Sequence, residues 1–223
     1  MEDVTAGGPA DKAALFDAFA QVGKALASGK RLEMIDVLAQ GERSVEVLAT
    51  TVGIGLTTAS NNLQVLKQAG LVATRRVGTK VFYRLAGADV MALWAQLREV
   101  AAGHLAGVDR ARAAYLGPED TEQLTRDELL QRIEQGDVTV IDVRPREEYD
   151  AGHIPGALSV PLHELADRLA DLPADSTVVA YCRGSYCVLA HNAVRTLLAN
   201  GRSAVRLADG VLEWKLADLP LAR

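Results

Sequence analysis

Val178-Val179-Ala180-Tyr181-Cys182-Arg183-Gly184-Ser185-Tyr186-Cys187 runs without a break into an apolar segment from Val188 to Leu198. A β-branched run that stops at a cysteine, passes through Arg-Gly-Ser and resumes with helical periodicity reads as strand, tight loop, helix. That order puts Cys182 at the carboxyl end of a strand, with loop amides and a helix N-terminus that favour negative charge beside it. With Arg183 adjacent, the thiol is expected to ionise easily, and the thiolate is the nucleophilic form. Cys182 is therefore a candidate nucleophile that attacks or carries sulfur; the plainer alternative is a small buried apolar residue.

Upstream stand Val140-Ile141-Asp142-Val143-Arg144 and Glu147-Glu148-Tyr149-Asp150-Ala151-Gly152-His153-Ile154-Pro155-Gly156-Ala157, and downstream Gly210-Val211-Leu212-Glu213-Trp214 and Leu219-Pro220. These motifs, in this order around a cysteine loop, resemble the rhodanese domain over about residues 125–221. The resemblance implies a sulfurtransferase-type site in which Cys182 takes a sulfane sulfur and holds it as a persulfide. Arg183 and Asp142 join Cys182 as candidate catalytic residues, since Asp142 also ends a strand at the sheet's carboxyl edge. Gly184, Ser185 and Tyr186 form the loop. Arg144 reads as a buried partner of Asp142 or Glu148, and His153 as a structural turn residue. Related phosphatases place an arginine six positions after the cysteine; here that position is Val188, which argues against oxyanion hydrolysis. Gly184 and Ser185 supply no second cation, which leaves thiosulfate in doubt as donor. Cys187, five residues on, is either a resolving thiol that attacks a persulfide on Cys182 or a buried helix-start residue.

The chain has 223 residues, 49% of them hydrophobic, enough for two small domains with real cores. No apolar run reaches membrane-spanning length, Met1-Glu2-Asp3 is acidic, and two cysteines build no disulfide framework, so a cytoplasmic protein is expected. The net charge of −5 is uneven. Residues 1–117 carry 13 Lys+Arg against 11 Asp+Glu, whereas residues 118–223 carry 11 against 18. Positions 47–88 hold Lys67, Arg75, Arg76, Lys80 and Arg84 and no acid, a basic surface suited to phosphates.

In this half, helical periodicity runs over residues 12–27, 31–39 and from a Ser44 cap onward, then through a Gly53-Ile54-Gly55 turn into residues 57–68. Two short helices joined by a glycine turn make a helix-turn-helix. Leu71–Arg76 and Lys80–Leu85 flank Val77-Gly78-Thr79 as a hairpin with a charged tip. Leu63-Gln64-Val65-Leu66-Lys67-Gln68-Ala69-Gly70-Leu71-Val72 and Gly78-Thr79-Lys80-Val81-Phe82-Tyr83-Arg84-Leu85 resemble the winged-helix ArsR-type repressors, over about residues 16–105. The resemblance makes residues 57–68 the recognition helix. Thr57, Thr58, Ser60, Asn61 and Gln64 on its polar face would meet bases or phosphate, and Arg75, Arg76 and Lys80 on the wing would meet phosphates or the minor groove. A winged helix used for protein contacts is the alternative.

From Asp89 to Leu116 nothing breaks a helix except Gly103 and Gly107, and Val90, Trp94, Leu97, Ala101, His104, Val108, Ala111 and Tyr115 form a seam about 42 Å long as one helix. One seam cannot bury itself, so a homodimer through Asp89–Leu116 facing a palindromic operator in double-stranded DNA is expected. His104 and Asp109 are too few for a closed metal site, and no metal or other cofactor is implied.

Gly117–Glu122 reads as a linker between a domain of residues 1–117 and one of residues 118–223. After a Thr125/Glu128 capping box, strands near 138–142, 158–160, 177–181 and 204–207 alternate with helices at 125–135, 163–172 and 188–200, giving a parallel sheet covered on both faces. The expected architecture is thus a mainly α winged helix-turn-helix with a long dimerisation helix, followed by an α/β rhodanese-like domain. The function expected is a DNA-binding repressor whose reactive cysteine modulates DNA affinity through a small sulfur donor. A working sulfurtransferase that merely shares a chain with a regulator, and an inert docking module, are the alternatives.

Overall fold

The computed structural model describes residues 8–173 and 175–223; the acidic start Met1–Asp3 lies outside them. The chain forms two compact units, one running to Val90 and the other from Met91 to Arg223.

The first unit contains helices α1 (Pro9–Leu26) and α2 (Gly29–Gln40), strand β1 (Arg43–Ser44), helices α3 (Val45–Thr51) and α4 (Leu56–Gln68), and strands β2 (Val72–Val77) and β3 (Lys80–Leu85). Ala59, Leu63 and Leu66 of α4 are buried with Met34, Ile35 and Leu38 of α2 and Leu48 of α3, so one face of each short helix supplies the core. Gly53 lies at φ 66°, the left-handed conformation the turn between α3 and α4 requires. Strands β2 and β3 pair antiparallel from Val72–Leu85 to Val77–Lys80, closed by Gly78 at φ 58°. Strand β1, unexpected from the sequence because it is only two residues long, adds to β3 and completes a sheet of order β1-β3-β2. Ser44 stands at the N-cap of α3 with no side-chain cap hydrogen bond.

The expected continuous helix over residues 89–116 is two helices, α5 (Ala88–His104) and α6 (Ala106–Leu116). Leu105 between them is extended, at φ −107° and ψ 104°. Gly103 and Gly107 flank the break; glycine loses most on being fixed in a helix, so the ladder yields there. Trp94, Leu97 and Ala101 on α5 are half-buried, whereas His104, Ala111 and Tyr115 are exposed, so the seam is not a uniform stripe.

Strand β4 (Gln123–Leu124), helix α7 (Arg126–Gln135), strand β5 (Val138–Asp142), helix α8 (Arg146–Ala151), strands β6 (Leu158–Ser159) and β7 (Thr177–Tyr181), helix α9 (Val188–Ala199), strand β8 (Ala204–Leu207) and helix α10 (Val211–Leu216) follow. The strands form one sheet of order β4-β8-β7-β5-β6, with every pairing parallel. Thr125 and Glu128 make the expected capping box at α7. Arg195 of α9 ties down the segment after α6, donating to the carbonyls of Leu116 and Pro118 and to Asp120.

Residues 163–172 are not the expected helix, although Leu162, Leu165, Leu169 and Leu172 stand three or four residues apart. Their backbone follows successive three-residue turns, such as Glu164 N–H to Pro161 O and Asp171 N–H to Arg168 O, ending in a 3₁₀ turn at Leu169–Asp171. The four leucines still pack into the core under α9, so burial met the apolar pattern without an α-helical ladder.

The sheet separates two cores. Ile141, Val178, Ala180, Cys182, Ala193 and Val194 pack on one side, and Leu129, Val140, Val179, Tyr181, Leu207 and Trp214 on the other. This alternation along β7 puts Tyr181 and the following Cys182 on opposite faces. Among the described residues, no helix is long and apolar enough to cross a membrane.

Candidate functional site

Cys182 follows the last residue of β7 and is only 2% exposed. The loop is held from below by the start of α10: Val211 N–H donates to the Cys182 carbonyl (3.1 Å) and Leu212 N–H to that of Arg183 (3.0 Å). Gly210 makes this approach possible, since a Cβ there would lie 2.3 Å from Gly184 N and 2.5 Å from Cys182 O.

The two thiols, both free, interact directly. The Cys182 thiol donates to the Cys187 carbonyl at 3.4 Å. Burial pushes the Cys182 pKa well up, helped by Cys187, and the N–H groups of Ala190 and Gly184 only partly offset this. Cys187 is lowered, because the Cys182 thiol hydrogen-bonds to it and the N–H groups of Arg183 and Leu189 assist. The expectation that Cys182 itself ionises easily is therefore corrected: burial raises its pKa, and the hydrogen bond between the thiols lowers that of Cys187.

Arg183 does not reach out for an anion. Its Nε and Nη2 form a bidentate pair with the buried Glu148, at 3.0 and 2.6 Å. Asp142 is fully buried and accepts from Arg144 Nη2 (2.6 Å) and the Arg144 backbone N–H (3.0 Å). It also bonds the Tyr181 hydroxyl, so it belongs to Tyr181's side of the sheet while Cys182 packs on the other. Asp142 and Arg144 are thus a buried structural pair, although Asp142 and Cys182 do end neighbouring strands. His153 stacks on Tyr149 with ring centroids 3.6 Å apart and contacts its carbonyl, a turn role.

Glu213, at the third position of α10, gathers the remaining loop groups. Its carboxylate accepts from Gly210 N–H (2.9 Å), Ser185 Oγ (3.4 Å) and Arg98 Nη2 (2.6 Å). A Cβ on Gly184 would meet this carboxylate at 3.0 Å. Arg98 comes from α5, and its guanidinium also lies 5.3 Å from the Tyr186 ring centroid and 5.5 Å from that of Trp94. A residue 115 positions from Glu213 thereby touches two members of the loop system, which no local sequence signal announces.

A cavity of about 130 Å³ opens beside the loop, lined by Arg112, Gln123, Ser185, Tyr186, Arg206 and Ala208. Arg206 interrupts the apolar strand Ala204-Val205-Arg206-Leu207 and is buried on the Cys182 side of the sheet, near enough for the two charges to interact. His191, buried on α9, has no hydrogen-bond partner at either ring nitrogen. Its pKa is pushed down to about 4 by burial first, then by Arg206, Arg195 and Arg112. Sequence reasoning missed Arg98, Arg112, His191, Arg206 and Glu213; a lone arginine in a core strand and a lone histidine in an apolar helix were the available signals. Among the described residues, no group of three or more His, Cys, Asp or Glu side chains could hold a metal ion.

In the first unit, Thr57, Thr58, Asn61 and Gln64 stand exposed on α4, with Ser60 half-buried beside them. The Gln64 amide donates to the Tyr83 hydroxyl at 3.3 Å, which ties it to β3. On the wing, Arg76 and Lys80 are exposed, but Arg75 pairs with Glu42 at 2.5 Å and stacks over Phe82. The acid that quenches Arg75 lies just outside the acid-free run.

Residues 26–75 match the Helix-turn-helix domain family and residues 125–217 the Rhodanese-like domain family. HTH-type transcriptional regulator Rv0324 of Mycobacterium tuberculosis is 59% identical over 211 residues, which cover 94% of this chain and 92% of that protein. A Sulfurtransferase of Allochromatium vinosum is 32% identical over 101 residues, 44% of this chain and 92% of its own. A solved homodimeric winged helix-turn-helix DNA-binding domain from Mycobacterium bovis, described as a possible ArsR-family regulator, is 57% identical and covers 45% of this chain and 94% of its own, with a TM-score of 0.42. With near-full-length identity to a regulator and both domain families matched in order, this chain belongs to the HTH-type transcriptional regulators and carries a rhodanese-like domain in its carboxy-terminal half.

Proposed function

We propose that this regulator senses reactive sulfur: the Cys182–Cys187 pair accepts a sulfane sulfur, and the modified loop changes the affinity of the winged helix for a palindromic operator. In this reading residues 1–117 bind DNA and dimerise, and residues 118–223 carry sulfur, in the cytoplasm. Thr57, Thr58, Ser60 and Asn61 meet the major groove, while Arg76 and Lys80 carry the wing's phosphate contacts. Dimerisation uses α5, whose Leu93 and Val100 are exposed on the single chain.

The observation that carries the reading is Arg98. It sits on α5, the helix that starts three residues after the wing strand β3, and it binds the carboxylate under the sulfur loop. A persulfide on Cys182 adds an atom to a site that is 2% exposed, so the loop must move, and Glu213 and Arg98 with it. The chemistry balances when the Cys187 thiolate takes the Cys182 proton as Cys182 attacks the outer sulfur of a donor, the donor's remaining fragment leaving as an anion that then takes up that proton. Attack by Cys187 on the resulting persulfide then gives a disulfide and expels sulfide.

A reporter gene placed behind the DNA upstream of this protein's own gene tests the reading in cells. Polysulfide should change its expression severalfold with the wild-type protein and not with Cys182→Ser. An equal response in both would remove the sensor reading and leave a regulator that shares its chain with a sulfurtransferase-like domain.

A further inference from the structure

The cavity beside the loop has a composition that the reaction so far leaves unused. Arg206 is 6% exposed; its Nη1 donates to the Leu207 carbonyl (3.1 Å) and its Nη2 to Gln123 Oε1 (2.5 Å), while its Nε is buried with no partner. Such an orphan donor in a cation is costly unless something accepts from it. Arg112 brings a second guanidinium from α6; its partner Glu119 is 65% exposed, so that pairing is weakened by water. Burial is the main cause of the low His191 pKa, and Arg206, Arg195 and Arg112 add to it. The Tyr186 ring and Ala208 add apolar surface to the same lining, with Gln123 and Ser185, whose hydroxyl donates to Glu213.

Resting on the sulfur-acceptor reading above, the geometry points to this cavity as the seat of the incoming sulfur donor, a small organic persulfide bearing a carboxylate. Arg206 and Arg112 hold the carboxylate, and Tyr186 and Ala208 cover the carbon skeleton. The second cation missing from the loop itself is thus supplied by β8 and α6. Cys182, its proton taken by the Cys187 thiolate, attacks the outer sulfur of R–S–SH; a bond forms between protein sulfur and the transferred sulfur, the donor's S–S bond breaks, and R–S⁻ leaves and takes up that proton. No net oxidation occurs. Because Arg112 lies on α6, donor recognition also engages the segment that follows α5.

Two persulfides of similar size, one of mercaptoacetate and one of mercaptoethanol, separate charge from reactivity. Loading of the full-length protein is followed by mass spectrometry, with thiosulfate as a third donor. The mercaptoacetate persulfide should load Cys182 about tenfold faster than the mercaptoethanol one, the effect expected from one charge-assisted contact. That ratio should fall toward one in Arg112→Gln and in Arg206→Gln, and persist in Arg110→Gln on the same helix. Arg112 is solvent-accessible, so its variant decides the matter if the Arg206 variant fails to fold. Equal loading by both persulfides, or a ratio unchanged in Arg112→Gln, overturns the cavity assignment while leaving the sulfur-acceptor reading intact. Thiosulfate loading faster than both makes an inorganic oxyanion the occupant and overturns the carboxylate. If no donor places sulfur on Cys182, the sulfur-acceptor reading fails and this one with it.

Discussion

Arg98 and Glu213 meet at 2.6 Å with only 12% and 19% of their side chains exposed, joining the helix that follows the wing to the carboxylate beneath the cysteine loop. The contact draws on two ends of the second unit and holds Ser185 and Gly210 through the same carboxylate. Arg98→Gln removes the charge and keeps much of the stem. It should lower stability by about 2 kcal/mol, as loss of a hydrogen bond to a charged group does, read as a lower urea midpoint with unchanged m-value. A midpoint equal to wild type would mean that the contact is not formed in solution.

Gly210→Ala should be worse than its size suggests. The added methyl meets backbone atoms, Gly184 N at 2.3 Å and Cys182 O at 2.5 Å, which cannot swing aside. Overpacking of this kind costs about 1–3 kcal/mol, and the loop should shift enough to change Cys182 alkylation. Gly201→Ala, where no atom lies within 4 Å but φ is 72°, is the control for backbone strain alone.

The thiol pair makes a titration prediction. Cys187 should react with iodoacetamide at lower pH than an ordinary thiol, and Cys182 only at higher pH. Cys182→Ala takes away a hydrogen bond to the Cys187 thiolate and should raise the Cys187 pKa; Cys187→Ala removes the neighbouring charge and should lower that of Cys182. Shifts in the opposite directions, read by pH-dependent alkylation rates, would reverse the assignment of the charge.

His191 should govern part of the acid limb of stability. Its folded pKa of about 4 lies below the 6.5 of an exposed histidine. Between those values the unfolded chain binds a proton that the folded chain refuses, so stability falls as pH falls through that window, by about 3 kcal/mol at most. His191→Leu should flatten the dependence and cost little at pH 7, since both ring nitrogens lack partners in the fold. Urea melts from pH 7 to pH 4 measure it, and an unchanged slope in the variant would contradict it.

On the DNA side, Arg76→Ala and Lys80→Ala should each reduce the salt slope of binding by about one. Arg75→Ala should do less, because Glu42 already neutralises it. Glu42→Gln should tighten binding by freeing Arg75. Affinity measured over a salt series separates these, and a loosened Glu42→Gln complex would contradict the wing assignment.

What could be read from the chain was what is local. The run Val178–Tyr181 followed by Cys182, the stripe Ala59, Leu63 and Leu66, and the Thr125/Glu128 box each fix their own element within a few residues. Strand β1 and the extended Leu105 were not legible, the first because two residues carry no period, the second because a seven-residue repeat says nothing of where glycines let a helix break. Cys182 and Cys187 could be placed in one loop from their spacing, whereas the pairing of Arg183 with Glu148 could not, because it depends on how α8 packs beside that loop; the fold also pairs Asp142 with Arg144. Arg98, Arg206 and His191 come to the loop only through the strand order and the path of α5 and α9. Their roles appear only once the chain is folded.

The most direct test of the central claim is the affinity of the whole chain for the DNA upstream of its own gene, by fluorescence anisotropy at fixed salt, before and after sulfur is placed on Cys182 and confirmed by mass. The account predicts a change of about tenfold or more, about 1.4 kcal/mol, that is absent in Cys182→Ser and much reduced in Arg98→Gln. Unchanged affinity of a protein shown to carry the sulfur would contradict it.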